Sequence, residues 1–220
     1  MWSLTRQEQS SIQMKRLIAV IASLCCICGV VMVQLSFKTL FAIQPLCLLV
    51  LGASAIWAAM NYTLGKNPYG YRGLGDIFVF IFFGIVAVIG TGYVCSHTII
   101  ANWLLPAMSI GLWSIGVLNV NNIRDMNTDA ATRTTVALKL GLKRSRVYQT
   151  ILIFAGWIFL LTFTLLETDG WQRFIYIITF PLFCIHLRGV WSRVGRDLDS
   201  MLPMLVISTF ATAILFALGI

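Results

Sequence analysis

Thr98–Leu118, TIIANWLLPAMSIGLWSIGVL, runs for 21 residues without a charge. About 20 predominantly apolar residues cross a bilayer as a helix. Three residues later the chain turns polar: Asn121-Asn122-Ile123-Arg124-Asp125-Met126-Asn127-Thr128-Asp129. If the helix continues through this stretch, Asn121, Asp125 and Asp129 fall at i, i+4 and i+8. Their oxygen-bearing side chains then stack on one face, roughly 6 Å apart. A hard cation such as Mg²⁺ is commonly held by one or two carboxylates together with water and substrate phosphates. Arg124, Arg133, Lys139, Lys143 and Arg144 crowd the same region and suit phosphate oxygens. Taken alone, a D-x-x-x-D spacing fits an ordinary charged helix end better than a metal site.

Composition sets the class. Of 220 residues, 59% are hydrophobic and 11% charged, whereas about a quarter are charged in soluble domains. Seven apolar runs have the length of spans: 17–36, 41–62, 76–95, 98–118, 149–167, 172–187 and 203–220. The expected fold is therefore all-α, a polytopic membrane helix bundle forming a single domain over 1–220. With the N-terminus inside, all but Lys38 and Arg173 of the 16 Lys and Arg lie on the inner side. This is the positive-inside bias. The net charge of +8 then follows from topology and an anionic leaflet, and requires no nucleic-acid partner. Chemistry by charged groups is expected at the cytoplasmic face of the cell membrane.

Elsewhere the signals are mixed. Gly65 to Asp76 is a cytoplasmic loop with four glycines, a proline, two tyrosines and two cations. Its glycines permit close backbone approach to a ligand, and Arg72 beside Tyr71 suits an anion; a plain connector fits equally well. Pro106 is expected to bend the fourth span. Leu138 to Arg146 reads as an amphipathic segment leading into the fifth. His186, Arg188, Arg193, Arg196, Asp197 and Asp199 are placed in the last inside loop, with Asp197 and Asp199 as salt-bridge material.

Three stretches together resemble the UbiA superfamily of intramembrane prenyltransferases, most closely its 1,4-dihydroxy-2-naphthoate polyprenyltransferase branch. Asn121 to Asp129 is similar to that branch's second aspartate motif. Tyr71-Arg72-Gly73-Leu74-Gly75-Asp76, with Phe78 to Thr91, resembles its Y-R-G-L-G-[DE] loop and following helix. Arg196 to Ile220 resembles the last loop and helix. The family has nine helices and a first motif, N-x-x-x-D-x-x-x-D, after its second helix. Lys15-Arg16 and the first span resemble the stretch just downstream, so that motif and two helices are expected to be missing from these 220 residues. Around Ala130–Gly141 the family pattern is R-x-x-G-K-x-T, whereas Ala130-Ala131-Thr132-Arg133-Thr134 is one residue shorter. Arg133 as a diphosphate-binding cation is therefore an expectation from position.

The resemblance implies a Mg²⁺-dependent transfer of a polyprenyl group from polyprenyl diphosphate to 1,4-dihydroxy-2-naphthoate, with decarboxylation, giving demethylmenaquinol for menaquinone. Asp125 and Asp129 would act as metal-holding catalytic residues. Asn121, Asn122, Arg124, Tyr71, Arg72 and Arg133 would bind substrate. The alternatives are another acceptor, such as 4-hydroxybenzoate, and an inactive truncated membrane protein. A small transporter would need Asp125 at mid-membrane, and the sequence places it at the boundary.

Overall fold

The computed structural model describes residues 6–63, 68–167 and 170–219. Lys66, counted above on the inner side, lies outside the described residues, as does the side chain of Tyr71. Every regular element among the described residues is helical. In order it forms α1 (Arg6–Phe37), α2 (Ile43–Thr63), a 3₁₀ turn (Tyr69–Arg72), α3 (Gly75–Val79), a π-helical stretch (Phe80–Val86) and α4 (Ala87–Ser96). A second 3₁₀ turn (Ala101–Trp103) leads into α5 (Leu104–Arg124), α6 (Met126–Asp129) and α7 (Val136–Glu167). A 3₁₀ segment (Trp171–Thr179), α8 (Phe180–Ser192), another 3₁₀ turn (Gly195–Leu198) and α9 (Met201–Gly219) complete it.

Seven segments among the described residues are long and apolar enough to cross a membrane: Gln13–Phe37, Ile43–Tyr62, Gly75–Ser96, Ala101–Arg124, Val136–Glu167, Trp171–Ser192 and Gly195–Gly219. The expected polytopic helical bundle is therefore present. Many large apolar side chains stay exposed, Ile27, Trp57, Phe83, Ile158 and Phe210 among them. On a multi-pass membrane protein these are the side chains that meet lipid.

The chain divides into two compact units, Met1–Met60 and Asn61–Ile220. The first holds α1 and most of α2. The second holds the aspartate stretch, and its centre is α5. Trp113 of α5 is fully buried, with its ring 4.8 Å from Phe183 of α8 and 5.5 Å from Trp157 of α7. Its indole Nε1 donates to the Ile153 carbonyl at 3.1 Å. Gly156 makes the room, because a Cβ there would run into the Trp113 ring. A second cluster, Val120, Ile123, Ala137, Val190, Leu198 and Met201, lies at the end of α5 that carries the acids.

Between these clusters a polar chain crosses four helices. Asn119 Nδ2 donates to Gln149 Oε1 at 2.9 Å and to the Ser145 carbonyl at 3.1 Å. Gln149 Nε2 donates to His186 Nε2 at 3.1 Å. The other ring nitrogen, Nδ1, then carries the proton and donates to the Met201 carbonyl at 3.1 Å. Asn119, Gln149 and His186 are all at or below 1% exposed. In lipid, burial of apolar surface does little to hold helices together, and packing and such bonds decide. Gln149→Leu roughly keeps the volume and strips His186 Nε2 and Asn119 Nδ2 of a partner. An orphaned buried polar group costs about 1–3 kcal/mol, and membrane measurements cluster at the lower end. We expect a loss of about 1 kcal/mol, seen as a fall of about 2–4 °C in Tm in detergent; an unchanged Tm would show that the chain of bonds holds nothing.

Two expectations need correction. Pro106 is the third residue of α5 and bends nothing, since the first-turn N–H it lacks has no intrahelical acceptor anyway. His186 is no loop residue: α8 extends to Ser192 and buries it. The basic segment does lead into the fifth span: Gly141 (φ 73°, ψ 165°) is non-helical and kinks α7 between a short helical stretch that begins at Val136 and the long one that follows. Ser145 Oγ bonds the carbonyls of both Ala137 and Gly141 and holds the turn together.

Candidate functional site

α5 stops at Arg124. Asp125 leaves helical geometry (φ −92°, ψ 7°), and α6 adds one more turn to Asp129. The straight helix required for an unbroken i, i+4, i+8 stack is thus interrupted at Asp125. The backbone bonds nevertheless step by four, from Asp125 N to Asn121 O at 3.0 Å and from Asp129 N to Asp125 O at 2.9 Å. The one-turn spacing survives the break.

Arg124 organises the first half of the site. Its Nε and Nη2 donate to the two oxygens of Asp125 at 2.8 and 2.6 Å. Nη2 also donates to Asn121 Oδ1 at 2.8 Å, and Nη1 donates to Asp199 Oδ1 at 3.1 Å. Hydrogen bonding from Arg124, reinforced by the charges of Arg124, Arg133 and Arg196, holds the Asp125 carboxyl below the ordinary carboxylate range. Asp125 is therefore an anion at neutral pH, and this advantage is lost only as pH falls through the lowered value.

Asp129 is different. It is buried, and Arg133 Nε approaches its Oδ1 at 3.5 Å. Its Oδ2 is buried with no hydrogen-bond partner. Buried charged oxygens are ordinarily paired or bound to a metal, so the open oxygen fits a cation that supplies the missing partner. Among the described residues no cluster of three or more His, Cys, Asp or Glu forms. The protein offers two carboxylates, and the rest of the shell falls to water and ligand oxygens, as is usual for Mg²⁺.

The other expected residues lie close by in the chain's own geometry, with differing fates. Asn121 faces Arg124, whereas Asn122 is buried on the packed side of α5. Arg72 is exposed and ends the 3₁₀ turn. The loop that carries it meets the stretch after the acids through Gly73, whose φ of 79° suits glycine. A Cβ at Gly73 would lie 3.3 Å from both Lys139 Nζ and the Thr134 carbonyl. Asp76, in the first turn of α3, is buried and accepts from Tyr148 OH at 2.9 Å. Arg146 caps carbonyls of Val190 and Arg193. These bonds gather the loop before α3, the α5–α7 connection and the α8–α9 connection at one basic end of the second unit. Asn102 and Arg173, by contrast, both bond to Glu167 at the other ends of their helices.

Sequence reasoning did not single out Asp199 as part of this cluster. Its alternating spacing with Asp197 hides a partner 75 residues away in the chain.

Comparison with known proteins agrees with this architecture. Residues 11–218 match the UbiA prenyltransferase family. The chain is 36% identical over 223 residues to the 1,4-dihydroxy-2-naphthoate octaprenyltransferase of Escherichia coli, covering 99% of this chain and 69% of that protein. It is 39% identical over 172 residues to the enzyme of the same name from Haemophilus influenzae, covering 77% of this chain and 56% of that one. The Mycobacterium tuberculosis protein of that name is 41% identical over 169 residues, 72% of this chain and 56% of its own length. The chain thus spans between about half and two thirds of the length of these relatives. No solved structure matches it. On the family match and the similarity to the Escherichia coli protein over 99% of this chain, the chain belongs to the UbiA prenyltransferase family.

Proposed function

We propose that this chain is a Mg²⁺-dependent aromatic polyprenyltransferase, acting on polyprenyl diphosphate and 1,4-dihydroxy-2-naphthoate at the cytoplasmic face of the cell (inner) membrane. One observation carries the reading: Asp129 presents a buried carboxylate oxygen without a partner, one turn from Asp125 and beside Arg133. The acceptor is supported by the similarity to the 1,4-dihydroxy-2-naphthoate octaprenyltransferases of Haemophilus influenzae and Escherichia coli. UbiA family prenyltransferases are generally divalent-metal dependent.

Asp125 and Asp129 would hold Mg²⁺, which when bound offsets the charge growing on the departing diphosphate. Arg124, Arg133 and Lys139 supply fixed positive charge at the same end of the bundle, and Arg72 and Tyr71 lie in the adjoining loop, where the anionic substrates would dock. Asn121 keeps Arg124 oriented, and Asn122 supports the helix end. In the reaction the allylic C–O bond breaks and its electron pair leaves with diphosphate. The electron-rich naphthoate ring then forms the new C–C bond, and its carboxylate is lost as CO₂, giving demethylmenaquinol. The allylic cation is short-lived in water, so the reaction needs a dry path. Further along the second unit, Val88, Pro106, Ile110, Trp113, Leu160 and Phe216 are among the residues lining an apolar cavity of about 190 Å³, a fitting environment for isoprene units.

The test is direct. Membranes containing the chain, given polyprenyl diphosphate and Mg²⁺, should convert 1,4-dihydroxy-2-naphthoate to a prenylated, decarboxylated product, and a chelator should stop the reaction. Product from 4-hydroxybenzoate and none from the naphthoate would overturn the acceptor.

A further inference from the structure

Arg124 occupies both oxygens of Asp125, the residue that the proposed function gives to a divalent cation. Arg124 takes one lone-pair site on each of those oxygens, and its positive charge stands beside them, so a divalent cation on Asp125 competes with it. Repulsion between the two positive charges favours a cation-loaded state in which Arg124 has drawn away from Asp125 and keeps its other partners. The geometry names where it goes. Two of its four bonds at this site do not involve Asp125: Nη1 to Asp199 Oδ1 at 3.1 Å and Nη2 to Asn121 Oδ1 at 2.8 Å. The side chain can release Asp125 while both anchors persist. Asp199 is well suited to receive it. It sits on the turn between the 3₁₀ segment Gly195–Leu198 and α9, and its side chain is 60% exposed, free to adjust, against 31% for Asp125. That turn is itself fixed from below, where Leu198 and Met201 are buried and His186 bonds the Met201 carbonyl.

We propose that Asp199 is a positioning residue of the site: it takes over Arg124 when Asp125 engages a divalent cation. Arg124 then remains at the site, unpaired from Asp125 and available to an anionic ligand of that cation. The proposal rests on the reading that Asp125 and Asp129 hold the cation. Asp199 differs from a merely nearby negative charge in one respect. A negative charge would help a cation bind whether or not Arg124 were present. A receiver for Arg124 helps only when there is an Arg124 to receive.

Mn²⁺ binding to the purified full chain, followed by the electron paramagnetic resonance of free Mn²⁺ with no prenyl substrate present, separates the two. Arg124→Gln should tighten Mn²⁺ binding, because the competitor is gone. Asp199→Asn should weaken it by about two- to fivefold, the range of a partly exposed ion pair, and Asp199→Glu should restore it. Arg124→Gln/Asp199→Asn should bind like Arg124→Gln alone. Asp199→Asn weakening binding by the same factor in both backgrounds, or not at all, overturns the hand-over. Asp129→Asn, run alongside, tests the underlying reading. If it abolishes binding while the cycle shows no coupling, only the role of Asp199 falls. If it binds Mn²⁺ as tightly as the unaltered chain, the cation site falls and the hand-over with it.

Discussion

Asp129→Asn should lower Mg²⁺-dependent prenyl transfer at least a hundredfold while leaving thermal stability unchanged or slightly raised. The two effects have one cause. Asp129 Oδ2 is buried without a partner, and Arg133 approaches its Oδ1 only at the long distance of 3.5 Å. A buried carboxylate in that state costs the folded protein. Asparagine keeps the shape and removes the charge, so the fold loses little. The reaction loses a ligand for the group that stabilises the departing diphosphate, and removal of one such electrostatic contact costs roughly 10²–10³ in rate. Transfer rates in membranes and melting curves of the purified protein test both halves. Stability and activity falling together would make Asp129 a structural residue. Undiminished transfer would remove it from the site.

Much of this molecule is legible in its sequence because the bilayer imposes length and polarity on each span. Ala101–Arg124 and Gly75–Ser96 lie within a few residues of the runs 98–118 and 76–95 read from hydropathy. The acids after α5 were found because polarity rises abruptly there. What stayed hidden depends on partners far away in the chain. His186 breaks an apolar run and so reads as a span end, yet Gln149 and the Met201 carbonyl satisfy both ring nitrogens inside the bundle. The break at Asp125 is unreadable for a similar reason. Arg124 is turned by Asn121, Asp125 and Asp199 at once, and the last of these is invisible to any local pattern. The π-helical stretch Phe80–Val86 carries no signal of its own in composition. Its Gly84 acquires meaning only from what lies across from it.

Gly84 faces the backbone of α5. A Cβ there would lie 2.7 Å from the Ala107 carbonyl oxygen and 2.7 Å from Gly111 Cα. Gly111 in turn admits the Phe80 ring, with a Cβ there meeting Phe80 Cδ2 at 2.7 Å. Small residues let membrane helices approach at this range, and backbone atoms cannot swing aside as a flexible side chain can. Gly84→Ala must therefore separate the π-helical stretch from α5, the helix that carries Asn121 to Arg124. Overpacking of this kind costs about 1–3 kcal/mol, and at about 2–4 °C per kcal/mol for a chain of this size Tm should fall by several degrees. Transfer activity should fall as well, since the end of α5 moves with its middle. Gly90 is the control, six residues on and past the π-helical stretch, where an added Cβ meets nothing within 4 Å. Gly90→Ala gains helix propensity, about 0.5–1 kcal/mol in a helix interior, and should leave Tm unchanged or raise it. Melting curves of the two variants side by side decide the matter: if both shift Tm alike, the close approach of Gly84 to α5 is not what holds this half of the bundle together.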